Sequence, residues 1–191
     1  MSEQEGEGEE ASERYGVGRL LTLVDGVFAI SMTLLALDVR IPDDVPDTAA
    51  GFTSALGPLL GRVAVFVAAF VITSRFWLIN HRYLAGLRKV DRGLLRATIL
   101  FLAAVTTLPV ATGVLFRYGA VPGAVTFAAA VLALTSVLSG RLWWYVSSPA
   151  RDLASVDADD RRRGIVRTVL TVVVYLLAIP IVYAVPPGGV R

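Results

Sequence analysis

The chain has no cysteine, which excludes disulfides, thiolate metal sites and cysteine nucleophiles together and leaves the redox compartment open. Its only histidine is His81, and it has no HExxH motif, no GxSxG motif and no paired acids at a common depth. Little chemistry remains for a catalyst, so no enzyme, cofactor or metal site is expected. No basic segment precedes the first apolar run, so that run is expected to be a retained span rather than a cleaved signal peptide. There is also no arginine-rich helical repeat of the voltage-sensor kind, and steep voltage dependence is not expected.

What the chain does have is apolar length. Hydrophobic residues make up 55% of its 191 positions, and the mean hydropathy of +0.65 belongs to an integral membrane protein. Runs of about 20 apolar residues, each bounded by charge, proline or glycine, fall near 20–38, 57–80, 94–116, 122–146 and 165–185. They predict an all-α polytopic bundle of five spans. Pro58 falls near the first turn of the second span, where its missing N–H costs nothing, whereas Pro109 and Pro180 lie inside spans and predict kinks. Gly57 and Gly61 form a weak GxxxG packing motif at one end of the second span. The first thirteen residues hold six glutamates and no base, so residues 1–18 read as a disordered acidic tail ahead of a membrane domain over 19–191.

Charge gives the orientation. Arg82, Arg88, Lys89 and Arg92 lie between the second and third spans, and Arg151, Arg161, Arg162 and Arg163 between the fourth and fifth. The first and third connections carry Arg40 among Asp43, Asp44 and Asp47, and Arg117 alone. The excess of arginine and lysine places the N-terminus and both basic loops in the cytoplasm of a multi-pass cell-membrane protein. The terminal PPGGVR then falls outside. The DADDRRR run at 157–163 reads most simply as a solvated loop, with contact of Arg161 to Arg163 to anionic lipid as the alternative.

On this topology Asp25 enters the first span from the cytoplasmic side, and Arg75, Trp77, Asn80 and His81 return to that depth at the end of the second. A carboxylate in lipid is expensive, so Asp25 should face the bundle interior and be paired, with Arg75 and His81 as partners within one chain. Trp77 and His81, four apart, share a helix face. Gly26 would admit a neighbouring helix at the same point. The cluster reads first as an ion pair that pins the first two helices, with a group that titrates near neutral pH as the alternative.

The opposite side of the first span is smoother. At 100° per residue, Ile30, Thr33, Leu34 and Leu37 fall within an arc of about 100°, near the line of Leu23 and Gly26, while Asp25 lies about 80° or more away. In a lone bundle such a stripe is packing surface. Around an axis shared by several copies it would line a narrow apolar pore.

The run RLLTLVDGVFAISMTLLALD, residues 19–38, resembles the opening signature of the endosomal and lysosomal potassium-channel family and its bacterial homologues. It matches at Arg19, Asp25, Gly26, Val27, Phe28, Ala29, Ile30, Thr33, Leu34, Leu35, Leu37 and Asp38. FWLINHR supplies a second match through Trp77 and His81, and LFLAAVTTLP, ending at Pro109, a weaker third. The resemblance implies six helices per repeat and, for a single-repeat bacterial member, a homotetramer whose first helices line the pore. It assigns the apolar constriction to Ile30, Leu34 and Leu37, a nearby hydroxyl to Thr33, and the network behind the pore helix to Arg19, Asp25, Arg75, Trp77 and His81. K⁺ is the implied permeant ion. The partners implied are membrane lipid and further copies of the chain, with no nucleic acid.

A carbonyl filter of the TVGYG type is absent, so selectivity for K⁺ over Na⁺ should be weak and come from width and partial dehydration. Leu23 and Val24 replace the family's usual Phe-Ser before the acid, Thr98 stands near a usual Asn, and a sixth span is expected beyond the fifth. A proton-permeable or proton-coupled transporter and a non-conducting structural membrane protein are the rival readings.

Overall fold

The computed structural model describes residues 2–41, 43–119 and 121–184, with side chains from residue 16 onward. Among them are α1 (Ser2–Leu34), α2 (Ala49–Ala85), α3 (Arg92–Val105), α4 (Leu108–Tyr118), α5 (Pro122–Val146) and α6 (Ala158–Ala184). A short 3₁₀ turn, Leu35–Asp38, extends α1, and the described residues contain no strand beyond one isolated bridge between Leu87 and Ala154. Five stretches are long and apolar enough to cross a membrane: Gly16–Asp38, Ala49–Ala85, Arg92–Tyr118, Pro122–Val146 and Ala158–Ala184. Helices suit that setting because each one satisfies its own backbone hydrogen bonds where no water can. The terminal PPGGVR lies outside the described residues.

The helix boundaries follow local chemistry. α1 starts at Ser2 and includes the backbone of the glutamate-rich segment. Glutamate is a good helix former and its charge suits a helix N-terminus. α2 starts eight residues before the predicted run, where the Thr48 side chain accepts a hydrogen bond from the Gly51 N–H at 3.1 Å. Pro58 is therefore inside the helix and not in its first turn.

Pro109 does more than kink the third span. The span divides into α3, ending at Val105, and α4, beginning at Leu108. Val105 is the residue whose carbonyl the Pro109 ring would meet in a continuous helix, four positions back. The hydroxyls of Thr106 and Thr107 donate to the carbonyls of Ala103 and Ala104 at 2.8 and 2.7 Å, occupying acceptors near the break.

α5 is the hub, packed against α3 and α4 on one side and α6 on the other. Its approach to α6 is close because glycines allow it. A Cβ on Gly164 would lie 2.0 Å from Trp143 Nε1, and one on Gly140 would lie 2.3 Å from the Thr168 side chain. The core is formed by Val24 and Phe28 of α1, Phe76 and Leu84 of α2, Leu94, Phe101 and Val105 of α3, and Leu142 and Val146 of α5. Phe28 and Phe101 meet at 5.9 Å, a tilted aromatic pair joining α1 to α3.

The two basic loops meet at one end of the bundle. The Arg88 N–H donates to the Leu153 carbonyl at 2.9 Å. The Arg88 guanidinium lies 3.7 Å from Asp152 and also donates to the Ser155 hydroxyl. The loops that the charge pattern assigns to one side of the membrane are thus joined to each other.

Candidate functional site

α1 presents three faces. Leu20, Val24, Phe28, Ser31 and Leu35, spaced by three and four, are buried against the bundle. Asp25 points toward α2. The third face carries Ile30, Leu34 and Leu37, which are 62%, 43% and 70% exposed, so the chain leaves its smoothest apolar stripe uncovered. Thr33 is exposed on the same side, and its Oγ1 donates to the Ile30 carbonyl at 2.8 Å. With the proton engaged by the backbone, the oxygen lone pairs are left for an outside partner.

Asp25 is paired with an indole, and none of the ion pairs among the described residues includes it. Trp77 Nε1 donates to Asp25 Oδ1 at 2.8 Å, and the Trp77 and His81 rings lie 5.4 Å apart at 32°. The expected partners of Asp25 were Arg75 and His81, and the hydrogen bond goes to Trp77. Arg75 and Trp77 are two residues apart, about 200° around the axis, so a helix that turns Trp77 to α1 turns Arg75 away. His81, one turn beyond Trp77, shares its face and contacts the indole. Arg19, at the start of the span, is exposed and engaged by a neighbouring group. Gly26 has no atom within 4 Å of a Cβ built on it, so no helix of the same chain uses the space it leaves.

Asn80 and Thr98 are fully buried, and neither side chain has a hydrogen-bond partner among the described residues. Beside Asp25 and Trp77, a cavity of about 530 Å³ opens between α1 and α2, walled by Phe28, Met32, Phe70 and Leu78. At the far end of α1, Leu34, Leu37 and Asp38 line a second cavity of about 620 Å³ together with Arg40, Arg62 and Arg117. Arg62 donates there to the Arg40 carbonyl at 2.8 Å, and a Cβ on Gly113 would lie 3.1 Å from Asp38 Oδ2.

Two further polar clusters were not legible from spacing. Tyr83 stacks on Trp143 at 4.2 Å and accepts from Arg167 at 2.8 Å, joining α2, α5 and α6. Tyr145 donates to Asp91 Oδ2 at 2.9 Å and accepts from Arg151 at 2.8 Å, while Asp91 Oδ1 caps α3 through the Leu94 N–H at 2.6 Å. Aromatic residues near span ends were the available signal. Their partners lie 84 and 54 residues away in sequence, beyond what periodicity can connect.

A sequence model described as the endosomal/lysosomal potassium channel TMEM175 matches residues 19–109. A potassium channel of Streptomyces collinus is 31% identical over 175 residues, covering 89% of this chain and 84% of that protein. The chain belongs to the TMEM175 family. A second relative, a potassium channel of Chamaesiphon minutus, is 30% identical over 148 residues, covering 76% of this chain and 73% of that protein. The fold agrees with the crystal structure of a lysosomal potassium-selective channel TMEM175 homolog from Chamaesiphon minutus. The TM-score is 0.75 at 23% identity, over 88% of this chain and 87% of that one. As a TMEM175 protein with five membrane-capable stretches, the chain is a multi-pass membrane protein.

Proposed function

We propose that the chain is a K⁺-permeable channel of the cell membrane, weakly selective for K⁺ over Na⁺, whose pore is lined by α1 from four copies. Ile30, Leu34 and Leu37 form its apolar constriction, and Thr33 offers an oxygen beside it. The observation that carries this reading is the uncovered stripe on α1, set apart from the buried face and from Asp25. Four such stripes around an axis bury one another's apolar surface and leave a narrow passage that wets only in part. Family membership and the potassium-channel names of the relatives support the same reading.

Asp25 and Trp77 sit behind this stripe, so their role is to hold the angle between α1 and α2 rather than to touch the ion. The arginine-rich loops support a cytoplasmic N-terminus. K⁺ is the transported ion and no cofactor is involved.

The test is K⁺ and Na⁺ flux into proteoliposomes containing the chain or Ile30→Asn. Faster K⁺ than Na⁺ flux in the parent, with higher flux and reduced preference in Ile30→Asn, supports the constriction. Flux no greater than that of empty liposomes in both overturns it. Mass measurement in detergent gives a tetramer on this reading, and any other stoichiometry removes the four-helix pore.

A further inference from the structure

Arg141 is exposed in the wall of an apolar span, five residues before the end of α5. That distance is about 7.5 Å along the helix, on the side of the bundle that carries the basic loops. A guanidinium at this depth needs an anionic or strongly polar partner. None of the ion pairs among the described residues includes it. Beside it runs a groove of about 440 Å³ between α5 and α6, lined by Val137, Gly140, Trp144, Ile165 and Val173. Ile165 and Val173 are eight residues apart on α6, so the groove extends about 12 Å. One leaflet of hydrocarbon is about 15 Å deep. Trp144, 58% exposed, stands at the basic end of the groove, at the level where tryptophan is favoured in membranes.

We propose that this groove is a binding site for one anionic phospholipid of the leaflet next to the basic loops. Its phosphate is held by Arg141 and one acyl chain lies between α5 and α6. Charge selects the occupant. A wholly apolar partner would leave the guanidinium unsatisfied, and a zwitterionic headgroup brings a cation of its own beside Arg141. Arg161, Arg162 and Arg163, at the start of α6, are offset by Asp157, Asp159 and Asp160, with Arg163 3.8 Å from Asp160, so Arg141 is the cation that faces the groove.

The experiment is quenching of Trp144 fluorescence by brominated lipid in proteoliposomes of the full chain, with the Trp144 part obtained by subtracting Trp144→Phe. Brominated phosphatidylglycerol is compared with brominated phosphatidylcholine at equal mole fraction. The expected preference for the anionic lipid is about fivefold, the effect of one basic side chain near a membrane surface. Arg141→Gln abolishes it, Arg141→Lys keeps part of it, and Arg162→Gln leaves it in place. Equal quenching by the two lipids overturns the proposal, as does a preference that survives Arg141→Gln. Quenching by neither lipid overturns it too, since the groove would then be filled by protein.

Discussion

The Trp77 indole N–H and the Asp25 carboxylate meet at 2.8 Å, a hydrogen bond that ties α1 to α2. Trp77→Phe removes the donor, so it should lower stability by about 0.5 to 1.5 kcal/mol. Asp25→Asn retains an acceptor and should cost less. Arg75→Gln, on the other side of α2, should change stability by no more than about 0.5 kcal/mol. Thermal unfolding of the detergent-solubilised protein ranks the three, and an Arg75 effect as large as that of Trp77 would return the cation to the role of partner.

Thr33 Oγ1 is bound to its own helix and turns its lone pairs outward. Thr33→Val keeps the shape of the stripe while deleting that oxygen. K⁺ flux should fall by about twofold, with a smaller K⁺ over Na⁺ preference, because partial dehydration at the adjacent apolar ring loses its nearest compensating dipole. Paired ion-flux measurements in proteoliposomes read both quantities, and unchanged values would remove Thr33 from the permeation path.

The cavity at the end of α1 contains three arginines and one aspartate. A positive field at the mouth of a cation path opposes entry, and salt screens it over about 10 Å at 0.1 M. Arg117→Gln should therefore raise K⁺ flux by about twofold at low ionic strength and by less at high. An increase that ignores salt would point to a change of shape rather than of field.

Gly164 is the contact point of α6 on α5, with the Trp143 indole where a Cβ would be. Gly164→Ala forces either the helix or the indole to move and weakens the 3.3 Å bond from Trp143 Nε1 to the Arg161 carbonyl. A loss of about 1 to 3 kcal/mol is expected from overpacking of this kind. Unfolding in detergent measures it, and the Trp143 fluorescence spectrum should shift with it.

The five apolar stretches were legible because a bilayer imposes a length on every crossing, and no tertiary contact can relax that demand. Pro109 was legible because the restriction is local, lying in its own ring and the carbonyl four residues before it. The stripe of Ile30, Leu34 and Leu37 was legible because helical period and apolar character coincide there. The Asp25–Trp77 bond was not foreseen because charge was weighed ahead of helix phase, which sets Arg75 about 200° from Trp77 and leaves His81 on the same face. The Tyr83 and Tyr145 clusters depend on how α2, α3, α5 and α6 assemble, information that no single helix contains.

No residue of α6 belongs to the central apolar cluster, whose last member in sequence is Leu153, and the one buried residue of α6 is Gly164. During synthesis, every side chain of that cluster has been made before the first residue of α6. The first four membrane crossings can consolidate on their own, and the fifth then joins a surface that has already formed.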